Sequence, residues 1–202
     1  MTMLIPLAID LDGSLTYTDT LHESTLKLLS KQPLNVFRLP LWLYQGKATL
    51  KNKIAQKIEL NPETLPYNQE LLGYLKEQKE RGRRLILCTA ADSAIANKIA
   101  EHLGIFDEVM ASDGTMNLSS GQKAKALESR FGLKGFDYVG NSTDDLAVWP
   151  SSNKAIIVNA SPSLIKKAKK ISDVEKVFPA SKQDISTWLK VFRIHQWVKN
   201  IL

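Results

Sequence analysis

Residues 9–16 read Ile9-Asp10-Leu11-Asp12-Gly13-Ser14-Leu15-Thr16 and close an apolar run that begins at Leu4. The run is too short for a core helix and predicts a first strand over residues 4–11. On an extended strand, acids two residues apart point to the same side. Beyond the strand's carboxyl end, Asp10 and Asp12 would face a common pocket at the edge of a parallel sheet. Like charges so close need a cation, a proton or a basic partner. A hard divalent ion with oxygen ligands, such as Mg²⁺, meets that need. Gly13 permits a tight turn away from the pocket. Taken alone, the pair reads equally as two solvated turn acids.

Outward from this stretch, short apolar strands alternate with amphipathic helices, the pattern of an α/β protein with a parallel sheet. Further strands are expected at residues 85–88, 106–111, 136–139 and 155–158. Helices are expected at 93–103, 123–131, 143–148 and 164–171, with Gly104 and Gly132 as stop signals. About 70 residues separate the first two strands, far more than one crossover helix needs. Helical segments at 21–29, 36–44, 50–58 and 69–81 fit there, the last as the crossover. The earlier ones read as a small helical insertion over the carboxyl end of the first strand, where a lid would sit. The expected organisation is therefore a core of residues 1–16 and 77–181, a cap and crossover at 17–76, and a distinct segment at 182–202.

Three more places carry chemistry. Thr89 follows Leu85-Ile86-Leu87-Cys88, so its hydroxyl is expected at a strand end, and Ala90-Ala91-Asp92-Ser93 opens a helix whose free N–H groups could hold a phosphate. A Thr there is also an ordinary turn or capping residue. Lys123 lies just after Gly121, in the first turn of a helix, where a cation is misplaced unless an anion meets it. Lys125 is its rival, and an exposed surface lysine is the bland alternative. In Gly140-Asn141-Ser142-Thr143-Asp144-Asp145, Asn141 and Asp145 could supply oxygen ligands opposite the first pair. Helix capping by Ser142 or Thr143 is the competing explanation.

In this order along the chain, the four elements resemble the motifs of the haloacid dehalogenase superfamily over roughly residues 4–180. The resemblance implies a Rossmann-like, doubly wound parallel sheet with a small helical cap after the first strand. It implies that Asp10 attacks phosphorus to form an aspartyl phosphate and that Asp12 serves as general acid and base. Gly13, Thr89, Ala90 and Lys123 would bind the phosphoryl group. Mg²⁺ would be held by Asp10, the Asp12 carbonyl, Asn141 and, directly or through water, Asp145. Members that dehalogenate carbon lack an acid at the place of Asp12, so phosphate chemistry is implied. The family often has Asp where this chain has Asn141, which removes a charge from the metal site. Phosphotransfer on the same intermediate, or a weakened regulatory and docking domain, are the rival readings.

The chain has 202 residues and a net charge of +6, with a pI near 9.3. Residues 1–150 carry 17 basic and 18 acidic side chains, whereas 151–202 carry 10 and 3. Basicity confined to the last quarter argues against a nucleic-acid partner, and Arg81-Gly82-Arg83-Arg84 reads as a solvated helix end. The one cysteine, Cys88, excludes an internal disulfide and reads as a small apolar core residue. His22 and His102 read as surface residues. There is no Walker A loop, no dinucleotide-binding glycine motif, no signal peptide and no apolar run long enough to span a membrane. The terminal segment interleaves Trp188 and Trp197 with Lys190, Arg193 and Lys199, as a cytoplasmic juxtamembrane helix does. Phe192-Arg193-Ile194-His195-Gln196-Trp197-Val198-Lys199-Asn200 resembles the opening of membrane prenyltransferases of the UbiA type. That resemblance implies the cytoplasmic front of a longer membrane protein, beside an anionic membrane surface or a fused membrane domain. The implied substrate is a small phosphomonoester, such as a polyprenyl-linked sugar phosphate.

Overall fold

The computed structural model describes residues 4–113 and 115–180. Six strands form one sheet: β1 (Leu7–Ile9), β2 (Leu85–Asp92), β3 (Glu108–Ser112), β4 (Asp137–Gly140), β5 (Ala155–Val158) and β6 (Val174–Phe178). Their spatial order is β3-β2-β1-β4-β5-β6, and every neighbouring pair is parallel. Alternation along the strands makes two cores. Leu7, Ile9, Leu85, Leu87, Val139, Ile156 and Val158 face one side and pack with helices α4 (Gln69–Glu80) and α5 (Ser93–Leu103). Ala8, Ile86, Cys88, Tyr138, Ala155 and Ile157 face the other and pack with α6 (Ser120–Phe131) and α7 (Pro162–Ile171). Strands buried on both faces read as continuous apolar runs, which is why residues 85–88 and 155–158 stand out in the sequence.

The chain leaves β1 for β2 and β3 on one side and returns to place β4 on the other. That reversal opens a crevice at the carboxyl ends of β1 and β4. Over it lies the cap: α1 (Thr20–Lys31), a 3₁₀ turn at Pro33–Phe37, α2 (Leu39–Tyr44) and α3 (Lys47–Ala55). Leu28, Trp42, Ile54 and Ile58 give these pieces a core of their own. By contrast α4 contributes Leu71, Leu72 and Leu75 to the main core.

Several expectations are corrected. β6 was not foreseen: Val-Glu-Lys-Val-Phe has no apolar run, because an edge strand keeps Glu175 and Lys176 exposed. The run over 36–44 is not one helix. Pro40 would clash with the carbonyl of Val36, so a 3₁₀ turn ends at Phe37 and α2 restarts with Pro40 in its first turn. Residues 143–147 form a 3₁₀ turn, and β1 is shorter than expected because Leu4 and Ile5 are exposed. Arg83 does not belong to a solvated helix end: it is buried, paired with Asp137, and donates to the Ile5 carbonyl at 2.8 Å. Segment 182–202 and residue 181 lie outside the described residues. Among the described residues no helix is long and apolar enough to cross a membrane.

Candidate active site

Asp10 directly follows β1, and its N–H donates to Val139 O at 3.0 Å, carrying the pairing with β4 one residue further. Its side chain has the parity of Ala8 and turns toward α6. There Lys123, one turn into the helix, reaches back and donates to Asp10 Oδ1 at 2.6 Å. Both side chains are buried, Asp10 8% and Lys123 4% exposed. Lys123 also donates to Tyr138 Oη at 3.0 Å, and Tyr138 donates to Asp145 Oδ1 at 2.7 Å. Asp145 Oδ2 accepts the N–H groups of Asn141 and Ser142, each at 2.9 Å, and the Ser142 hydroxyl at 3.1 Å. A continuous chain of charge-assisted bonds thus runs from the end of β1 to the turn after β4.

Two glycines make room for it. A Cβ on Gly13 would lie 2.1 Å from Asn141 Nδ2, and Gly13 takes a left-handed φ of +77°. A Cβ on Gly140 would lie 2.5 Å from Asp145 Cγ. Asn159, itself left-handed after β5, donates to Gly13 O at 3.1 Å and fixes the turn from the far side. Ser14 Oγ donates to Asn141 Oδ1 at 3.3 Å.

Asp12 turns toward the cap, where its Oδ1 accepts the N–H of Thr20, the first residue of α1, at 2.8 Å. Burial is the chief reason that the Asp12 carboxyl rises to about 6, and Asp19 adds to it. Burial likewise lifts Asp10 to about 7; Lys123 opposes this, while Asp145 and Asp12 reinforce it. For Lys123, burial favours the neutral amine, but Asp10 and Asp145 outweigh it and hold the pKa above its ordinary value. The ammonium form therefore persists.

Asp10, Asp12, Lys123, Asn141, Ser142 and Asp145 border one cavity of about 460 Å³. Its core wall presents Asp10, Asp12, Lys123, Asn141, Asp144 and Asp145; its cap wall presents Asp19, Ser24, Leu43, Lys47, Lys51 and Ile54. Six carboxylates, those named and Asp92, face only three ammonium groups. The imbalance of three negative charges is the condition a divalent cation relieves. Among the described residues no group of three His, Cys, Asp or Glu side chains is placed to hold a metal. Asp145 Oδ2 is already filled by three donors, while Asp10 and Asn141 bring further oxygen atoms to the cavity.

Of the residues singled out from sequence, Asp10, Asp12, Ala90, Lys123, Asn141 and Asp145 line this cavity, whereas Lys125 is exposed. Thr89 is buried behind it: β2 continues past Thr89 to Asp92, and the Thr89 hydroxyl accepts the N–H of Ala91 at 3.0 Å. The first N–H groups of α5 do not form an open phosphate cradle either, since Asp92 caps Ala94. Three contributors carry no mark in the sequence: Tyr138 lies within β4, Asn159 follows β5, and Lys51, in α3, donates to Ala90 O at 2.6 Å and Asn117 Oδ1 at 3.0 Å. Next to it Asn52 donates to Asp92 Oδ2 at 3.1 Å, a second polar tie from α3 to the core. His22 and His102 are exposed, and Cys88 is fully buried with its thiol pushed up to about 12 by desolvation.

No family model matches the chain. An uncharacterized protein, y4nM, of Sinorhizobium fredii is 35% identical over 200 residues, 98% of this chain. The chain spans 38% of that relative's length. Among solved structures, a protein of unknown function from Bordetella pertussis Tohama I superposes with a TM-score of 0.66 at 15% identity, covering 89% of this chain and 100% of its own. A substrate-bound phosphoserine phosphatase superposes at 0.63 and 16%, covering 93% and 99%. A phospho-aspartyl intermediate analogue of phosphoserine phosphatase superposes at 0.60 and 18%, covering 94% and 99%. The chain therefore has the α/β, Rossmann-like fold of the haloacid dehalogenase-type phosphatases.

Proposed function

We propose that the domain is a Mg²⁺-dependent phosphomonoester hydrolase working through an aspartyl phosphate on Asp10. The observation that carries this reading is the buried Lys123–Asp10 pair at the sheet's switch point, with Asp12 two residues on and facing the cap. In the first step Asp10 attacks phosphorus, the bond to the leaving oxygen breaks, and Asp12 gives that oxygen its proton. In the second, Asp12 takes a proton from water, the water oxygen attacks phosphorus, and inorganic phosphate leaves Asp10 free. An Asp12 pKa of about 6 suits both duties near neutral pH.

Lys123 keeps Asp10 oriented and would meet a phosphoryl oxygen, as would the backbone of Ala90, while Thr89 and Gly13, the other candidates for phosphate binding, would shape the turns behind the cavity wall. Asp10, the Asp12 carbonyl and Asn141 would hold the metal, with Asp145 acting through water and by fixing the Asn141 backbone. When bound, Mg²⁺ offsets the repulsion between anionic nucleophile and phosphate. The leaving group would meet Leu43, Leu50 and Ile54 together with Lys47 and Lys51, a lining that suits an apolar group with a second anionic function. A polyprenyl-linked sugar phosphate has that character. The short motif at residues 192–200 supports a position at the cytoplasmic face of a membrane, beside a fused membrane prenyltransferase part.

Phosphate release from a panel of phosphomonoesters, with and without Mg²⁺, tests the reading. Asp10→Asn should lower turnover by at least about a thousandfold. Equal turnover by both proteins would overturn the mechanism. Asn141 favours a second reading, a weakened regulatory domain, because an amide brings the metal no charge. Failure to bind Mg²⁺ at millimolar concentration would select it.

A further inference from the structure

The cap carries an outer surface that, Leu43 apart, the cavity does not use. Leu34, Val36, Phe37, Leu41, Leu43 and Tyr44 are all exposed, six large apolar side chains within eleven residues. Leu34 is 77%, Phe37 79% and Tyr44 91% exposed. They sit on the 3₁₀ turn Pro33–Phe37 and on α2, whose inward side chain Trp42 anchors the cap core. A patch this dense is unusual for a surface facing only water. Its charge is equally biased. Between Glu23 and Glu59 the sequence has Lys27, Lys31, Arg38, Lys47, Lys51, Lys53 and Lys57 and no acid at all. Residues 1–150 are net −1, so with +7 in this stretch the remainder is −8.

We propose that this outer face of the cap docks on an anionic lipid surface, with Leu34, Phe37, Leu41 and Tyr44 entering the interface and Arg38 and Lys31 meeting the headgroups. Exposed aromatic and aliphatic side chains interleaved with cations, without acids, match the two forces such a surface supplies. Other occupants fit less well. Residues 181–202 are net +3, and the same face of a second copy presents the same exposed cations, Lys31 and Arg38, so both would be repelled. A nucleic acid would leave the apolar side chains without a partner. Leu43 is exposed on this face and also lines the cavity, so docking would set the cavity mouth at the lipid. The inference stands on residues outside the chemistry and does not depend on the hydrolytic reading.

The test uses the full 202-residue chain bearing Phe37→Cys or Tyr44→Cys labelled with an environment-sensitive fluorophore, and Glu80→Cys as a distant exposed control. Native Cys88 is buried and stays unlabelled. Vesicles of phosphatidylcholine with phosphatidylglycerol should shift the emission at positions 37 and 44 to the blue, with no shift at 80. Phosphatidylcholine alone should give little change. Arg38→Gln and Lys31→Gln should each raise the lipid concentration for half-response roughly fivefold. No shift at 37 and 44 with any vesicle would overturn the proposal and leave the face to a protein partner. Co-sedimentation with unchanged emission at both positions would overturn it as well, since binding would then lie elsewhere. An equal response on neutral lipid would remove the charge component and with it the proposal.

Discussion

On the core wall of the cavity, Asp10, Lys123 and Asp145 are buried and bonded in series, through Tyr138 behind the wall. On the cap wall, Lys47 is exposed, Ser24 keeps a buried hydroxyl without a partner, and α3 reaches the core through Lys51 and Asn52. The core wall is embedded in the sheet and its flanking helices, whereas the cap rests on four buried residues of its own. The contrast assigns rigidity to the groups that would touch phosphorus and adaptability to those that would touch the leaving group. Preorganised charges act without reorganising during a reaction. A separately packed cap can open for a substrate and close over it.

The strongest way to break this contrast is Lys123→Met. It should lower phosphate release about a thousandfold or more and destabilise the fold by up to about 3 kcal/mol at pH 8, because Asp10 is left buried without its counter-charge. The stability loss should shrink at pH 5, where Asp10 can take up a proton. Urea unfolding at the two pH values measures it. A loss independent of pH would mean that Lys123 matters through packing alone.

Asp12→Asn probes the group that joins the two walls. The folded Asp12 pKa of about 6 lies above the ordinary 3.8, so the folded protein holds the proton more tightly than the unfolded chain. The associated stability is complete below about pH 4 and is lost as pH rises through 6. Without metal, the variant should therefore match the wild type at pH 4 and exceed it by about 1–3 kcal/mol at pH 8. Excess Mg²⁺ should narrow the gap, and phosphate release should fall about a hundredfold or more. A constant stability difference across pH would show that Asp12 carries no burial cost.

Lys51→Met tests the cap wall and should have the smallest effect. Removing one cation that would meet an anionic leaving group should raise KM about tenfold with kcat within about twofold. A fall in kcat at constant KM would instead place Lys51 with the core wall.

The order of strands and helices, and the acids behind β1 and β4, were legible because parallel strands buried on both faces are unbroken apolar runs ending at the same edge. Lys123 was legible as a cation out of place at a helix start. Lys51 was not, since a lysine among six other cations on a basic cap carries no local mark. Arg83 looked solvated because its partner Asp137 is 54 residues away. β6 was hidden by its place at the sheet edge, where alternation is weak.

The sequence by itself determined the periodicities, the switch in side-chain character at strand ends, and the glycines that those turns require. Only the tertiary structure decided which charges are neighbours. Lys123 meets Asp10 across 113 residues, and Tyr138 links that pair to Asp145. It also decided that six carboxylates share a cavity with three amines, and that the apolar side chains of residues 34–44 face outward instead of packing. Periodicity is a property of a segment, whereas burial and charge pairing are set by what the fold brings alongside it.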